Sequence, residues 1–137
     1  MTSRKKSKAE RLPMSLRSAA AERAYQKAAK DDKLTDVRKE MVVEEFKQWL
    51  LIRNRYPYDA VFSKHDLLIP KRDFATRGAM LPVEYFDLMR ILETYGEQNY
   101  DGMIDNMQRR RSIMGLYHVH LFCYKDRREE IDFEGKA

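Results

Sequence analysis

The sequence predicts an α+β fold, a small antiparallel β-sheet with one long helix, preceded by a helical N-terminal extension. Three observations carry that expectation. Short apolar segments bounded by turn residues follow Pro57 and read as strands. One long amphipathic pattern opens at Pro82, the position where a proline suits a first helical turn. Ahead of Pro57 the chain is Ala-rich and then apolar at helical spacing, which reads as helix.

Taken in order, residues 1–14 form a flexible basic arm containing Pro13. Residues 15–54 form the helical extension. Its first helix spans about 15–30 in the run SLRSAAAERAYQKAAK, with Ser15 as N-cap. Its apolar side is Ala with Leu16 and Tyr25, so it needs a docking surface. A second helix is expected over about 36–53, capped by Thr35 or Asp36, with Val42, Phe46, Trp49, Leu50 and Arg53 on one stripe. Trp49, Phe46 and Leu50 are core candidates.

The main domain is expected over 55–125. Tyr58–Phe62 and Asp66–Ile69 read as two strands joined through Ser63-Lys64-His65. A polar loop from Lys71 to Leu81 leads to a helix over about 83–99, with Phe86, Met89, Leu92 and Tyr95 or Ile91 turned inward. Tyr100–Met107 and Leu116–Tyr124 complete the sheet, joined by the basic run Gln108 to Ser112. Residues 126–137 form a charged tail.

Composition narrows the classes of function. The 137 residues are 43% apolar and 36% charged, enough for one packed domain. No apolar run is long enough to span a bilayer, and no h-region follows the basic start. The Ser-, Ala- and Arg-rich start is also compatible with a mitochondrial transit peptide. A single cysteine, Cys123, excludes an internal disulfide and a Cys-rich zinc site. A reducing cytoplasm is the expected compartment.

The net charge of +5 is placed unevenly. Residues 1–30 hold nine Lys/Arg and two acids, a balance of +7, and the remaining 18 basic and 20 acidic residues give −2. Such an arm attracts nucleic acid or an acidic partner without reading sequence. A solvated, solubilising tail is the plainer reading of the same charge.

The chemistry concentrates on three histidines. Period two on the last strand puts His118, His120 and Phe122 on one face, with Tyr117, Val119, Leu121 and Cys123 on the other against the long helix. Two adjacent imidazoles are costly to bury dry, so a polar cleft is expected there. No third ligand stands at metal spacing, and no metal or other cofactor is expected.

The run Tyr117-His118-Val119-His120-Leu121-Phe122 resembles the alternating histidine signature of the histidine-triad (HIT) family. Upstream, His65-Asp66-Leu67-Leu68-Ile69-Pro70-Lys71-Arg72 is similar to that family's H-φ-L-φ-φ-P-K strand, φ being apolar, and Asn106 matches an Asn leading into its phosphate loop. The resemblance covers about 70 residues, all three histidines included, and adds a HIT-like character to the expected sheet.

It implies a homodimer acting on a nucleotide or nucleoside-phosphate conjugate, as hydrolase or nucleotidyltransferase, through a nucleotidyl-histidine. His120 would then be the nucleophile. His118 would orient it, and His65 would stand beside the phosphate. Asn106, Ser112, Gly115, Arg111 and Lys71 would hold phosphate, and the run Arg109-Arg110-Arg111 reads equally as a set of phosphate donors or as a solvated turn. A neutral imidazole suits this role because it is nucleophilic near neutral pH and the phosphoimidazole is labile.

The sequence departs from that pattern at several places. Phe122 stands where the family has His, or Gln in its transferase branch. Gly115 stands where a small hydroxyl residue is common, and Ser112 is offset by three residues. Asp59 is a loose match for a ribose-binding acid, and the family's first strand would be replaced by helix 36–53. Two further readings therefore stand beside the enzyme. One is a phosphate-binding module with weakened chemistry; the other is a nucleic-acid-associated protein using residues 1–30.

Overall fold

The computed structural model describes residues 16–31, 40–107 and 115–126. A helix, α1 (Ala19–Lys30), leads into a hairpin of β1 (Val42–Glu45) and β2 (Trp49–Arg53), then β3 (Phe62–Pro70). After a 3-10 turn at Arg77–Ala79 comes α2 (Pro82–Ile91), which runs on through a π-helical turn, Leu92–Gly96, and a last turn, Glu97–Asn99. The strands β4 (Gly102–Ile104) and β5 (Val119–Tyr124) follow. All pairings are antiparallel, in the order β1-β2-β3-β5-β4, so the α+β architecture is the expected one.

The helix expected over 36–53 is corrected: its described part, from residue 40, is the β1–β2 hairpin. Trp49-Leu50-Leu51-Ile52 satisfies a helical stripe, but it also satisfies a strand buried on both faces. The partner decides, because β2 pairs along its whole length with β3, from Trp49↔Pro70 to Arg53↔Asp66. The turn is held from outside itself, with the Gln48 amide donating to Asp87 on α2 at 2.7 Å. The sheet thus reaches back to Val42, and the supposed replacement of a first strand by helix falls away.

Smaller corrections concern boundaries and facing. Tyr58–Val61 is a turn rather than a strand, and 62–70 is one continuous strand with no connection at 63–65. Strand β4 is shorter than 100–107 and β5 begins at Val119 rather than Leu116. Ser18, not Ser15, caps α1, its hydroxyl accepting from the Ala21 amide; Ser15 lies outside the described residues. Phe86 is 70% exposed, because α2 turns Leu88 inward in its place, together with Ile91 as expected. Met89, Leu92 and Tyr95 pack against that core from its margin.

The two faces of the sheet differ. On one, Trp49, Leu51, Leu68, Val119 and Leu121 are buried with Leu88 and Ile91 of α2 and with Phe74, Tyr100 and Tyr117. On the other, Ile52, Leu67, Ile69 and Leu116 form a second apolar cluster, continued along the same face by the histidines. Among the described residues no helix is long and apolar enough to cross a membrane.

One polar pair is buried under α2. The Tyr100 hydroxyl donates to Asp66 Oδ2 at 2.6 Å, and Asp66 is fully buried. Its other oxygen lies 3.4 Å from Arg53 Nε without a hydrogen bond. Tyr100→Phe is expected to lower stability by about 1–3 kcal/mol, the cost of leaving such a group short of a donor. A urea titration of the variant checks it; an unchanged midpoint would mean that Arg53 turns in to replace the hydroxyl.

Candidate active site

Register explains why the histidines meet. Leu67 of β3 faces His120 of β5, and His65 faces Phe122. His65 and His120 are therefore diagonal neighbours on one face of adjacent strands, within reach of long side chains. His118 sits two residues before His120 on the same face, its ring centroid 5.1 Å away. The facing expected from period two is the one observed.

The environment is not the expected cleft. His65, His118 and His120 are 3%, 1% and 2% exposed, and each is buried with partners. His65 Nε2 lies 2.8 Å from His120 Nδ1. The Tyr58 backbone amide donates to His65 Nδ1 at 2.9 Å, with Asn54 Nδ2 3.2 Å from the same atom. His118 Nδ1 donates to the Leu116 carbonyl at 3.0 Å. Asn106 Nδ2 lies 3.4 Å from His120 Nε2. The cost of burying imidazoles is thus met by hydrogen bonds within the protein.

Burial fixes their charge. It is the main cause that pushes His65 down to about 3, and its electrostatic interactions with the Arg17 guanidinium and the neighbouring His118 ring add to it. His120 is driven well below its ordinary value, first by burial, then by His118, His65 and Arg17. Both rings are therefore neutral near pH 7.

Aromatic rings cover the pair. Tyr58 stacks on His120 with centroids 5.3 Å apart and planes 25° apart, and touches His65 at 4.5 Å. Phe122 lies against Phe62, centroids 4.0 Å apart and planes at 9°. Opposite Phe122 stands Gly102, where a Cβ would come within 2.7 Å of the Phe122 ring. The third position of the histidine series is thus a packed apolar slot.

Among the expected phosphate contacts that are described, only Asn106 is brought to the histidines. Lys71 is corrected: it lies beyond the far end of β3, pairing with Glu45 at 2.7 Å. Six residues at about 3.3 Å each separate it from His65. Gly115 is exposed, at the start of the segment entering β5. Arg109, Arg110, Arg111 and Ser112 lie outside the described residues. Among the described residues no group of three or more His, Cys, Asp or Glu could hold a metal ion.

Three participants were not legible in the sequence. Asn54 and Tyr58 lie on the turn after β2, and the contact from Tyr58 is made by its backbone. Arg17 arrives from the residue before the α1 cap, its side chain 8% exposed. It donates to the Tyr56 carbonyl at 2.8 Å and lies over the Tyr25 and Tyr58 rings at 4.0 and 5.0 Å. Only the Tyr-Pro-Tyr turn itself, at 56–58, offered a sequence signal.

No protein-family profile and no curated protein matches the sequence. Solved structures do resemble the chain. A histidine triad protein from Clostridium difficile is 15% identical, with a TM-score of 0.47, over 75% of this chain and 90% of that one. A HIT family hydrolase from Clostridium thermocellum is 19% identical, with a TM-score of 0.46, over 79% and 95%. A HIT family hydrolase from Legionella pneumophila is 25% identical, with a TM-score of 0.43, over 71% and 90%.

Proposed function

We propose that this domain binds a nucleotide or nucleoside-phosphate conjugate and transfers the nucleotidyl group through His120. The observation that carries the reading is the 2.8 Å hydrogen bond joining two buried imidazoles, His65 Nε2 and His120 Nδ1. In such a pair, one ring attacks through its outer nitrogen while the other shares the proton on its inner one.

The chemistry is nucleophilic substitution at phosphorus. The lone pair of His120 Nε2 forms the P–N bond as the bond from phosphorus to the leaving group breaks. The positive charge that develops on His120 is spread through its Nδ1–H to His65. Water then forms a new P–O bond as the P–N bond breaks, releasing the nucleotide. Asn106 stands beside the attacking nitrogen and can steer a phosphate oxygen. His118, fixed by the Leu116 carbonyl, packs against His120 and limits its rotation. Arg111, Ser112 and Gly115 are the further phosphate donors we assign.

The Phe122–Phe62 stack favours a second reading, in which the domain binds nucleotide without turning it over. Intact-mass spectrometry separates the two. Purified protein is incubated with adenosine and guanosine phosphoramidates and dinucleoside polyphosphates, then quenched at mildly basic pH. A nucleoside-monophosphate adduct is expected in the wild type and absent in His120→Ala. Nucleotide bound by calorimetry, with no adduct and no turnover, would leave the binding module.

A further inference from the structure

We propose that Tyr58 is a positioning residue whose backbone amide, held in place by Arg17 and Ser18, sets which nitrogen of His120 carries the proton. The inference rests on His120 as the nucleophile and concerns the state in which the site waits.

A backbone N–H can only donate. Tyr58 donates to His65 Nδ1, so that nitrogen holds a lone pair and the proton of neutral His65 is on Nε2. His65 Nε2 therefore donates across the 2.8 Å contact, and His120 Nδ1 accepts. Neutral His120 must then carry its proton on Nε2. That is the nitrogen beside Asn106, and with a proton on it no lone pair is left to attack phosphorus. Asn106 tolerates either state, because its amide offers an acceptor to Nε2–H or a donor to a bare nitrogen.

Withdrawing the Tyr58 amide, together with the Asn54 amide nitrogen 3.2 Å from the same His65 atom, frees the chain of hydrogen bonds to reverse. Water supplies a proton to His65 Nδ1, the proton on His65 Nε2 passes to His120 Nδ1, and the proton on His120 Nε2 leaves to water. Both rings stay neutral throughout. His120 now presents its lone pair at Nε2, and the Tyr58 ring no longer covers it.

The turn that carries Tyr58 is fastened by the residues leading into α1. The Ser18 amide and hydroxyl donate to the two oxygens of Asp59 at 2.7 and 2.9 Å. The Ala60 amide donates to the Leu16 carbonyl at 3.0 Å. Arg17 holds the Tyr56 carbonyl and lies over the Tyr58 ring, with Glu22 accepting from its guanidinium at 3.2 Å. Four consecutive contacts thus fix the residues either side of Tyr58 to a segment some 40 residues earlier in the chain. The N-terminal extension is a latch on the tautomer of the proposed nucleophile.

The test is nitrogen NMR on the 15N-histidine protein without nucleotide. In the wild type, His65 and His120 are both expected to show protonated, pyrrole-type Nε2 and bare, pyridine-type Nδ1. A scalar coupling is expected across the Tyr58 N–H···Nδ1 bond. Asn54→Ala alone is expected to keep the wild-type pattern, and Tyr58→Pro added to it, which leaves His65 Nδ1 with neither donor, is expected to shift both patterns to protonated Nδ1. In the double variant Arg17→Gln, Ser18→Ala, the same shift is expected for part of the population.

A protonated Nδ1 on either ring of the wild type overturns the proposal, whether or not Tyr58→Pro folds. Loss of the wild-type pattern in Asn54→Ala alone, or its retention in folded Asn54→Ala, Tyr58→Pro, also overturns it. Retention in Arg17→Gln, Ser18→Ala overturns the latch. A protein showing the expected pattern but forming no nucleotidyl adduct would refute the proposed function and leave the positioning role of Tyr58 standing.

Discussion

Phe122→His is expected to raise the rate of nucleotidyl adduct formation by about 100- to 1,000-fold, the usual effect of one preorganised donor on a developing oxyanion. The residue stands two positions beyond His120 on the same strand face, where the resemblance to HIT sequences places a donor. Phe122 cannot donate, and its ring fills the space between Phe62 and Gly102. Histidine is smaller than phenylalanine, so it enters the same slot without displacing Gly102. The substitution gives up a stacked pair worth about 0.5–1.5 kcal/mol and places a polar ring in an apolar slot, so a lower unfolding midpoint should accompany the gain. Quenched-flow mass spectrometry of the first turnover reads the rate directly. A folded variant that still binds nucleotide but forms adduct no faster would show that something other than the missing donor limits the chemistry. The Tyr58 cover would then be the next residue to change, since a group transfer cannot outrun access to Nε2.

Sequence was informative where geometry allows few alternatives. A strand has two faces, so His118, His120 and Phe122 had to share one once β5 was recognised, and that face holds the site. Trp49 was legible as core in either secondary structure, being large and apolar, and it is fully buried. The type of element around it was not legible. Trp49-Leu50-Leu51-Ile52 fits period 3.6 and a doubly buried strand alike, and only pairing with β3 decides. The α2 stripe was misread at Phe86 for a related reason. Acidic residues occupy two buried positions of that helix, Glu84 engaged by Arg72 and Asp87 by the Gln48 amide. A pattern based on hydrophobicity alone therefore selects the wrong face. The cover on the histidines left least trace of all, because a backbone amide has no sequence signature and Arg17 reaches Tyr58 only through the folded chain.

Acidification offers a second large effect, and its sign follows from the buried rings. The folded-state values of His65 and His120 lie below the ordinary 6.5, so the unfolded chain binds protons there that the folded one does not. Stability is then fully present above pH 6.5 and is lost as pH falls below it. With its value near 3, His65 contributes a loss of about 2 kcal/mol between pH 7.5 and 5, and His120 adds a loss in the same direction. That is a large share of the roughly 5–15 kcal/mol typical of a domain. Glu84 is lowered from 4.5, chiefly by its hydrogen bond to Arg72, and loses its contribution only at more acid pH. Urea unfolding followed by Trp49 fluorescence at pH 7.5 and 5 measures the difference, and His65→Asn or His120→Gln should each reduce the pH dependence. Equal stability at the two pH values would require both rings to be charged or solvated in the folded protein. A proton on His65 Nδ1 would displace the Tyr58 amide, and one on His120 Nδ1 would break the 2.8 Å contact with His65, so the neutral pair and the hydrogen-bond chain stand or fall together.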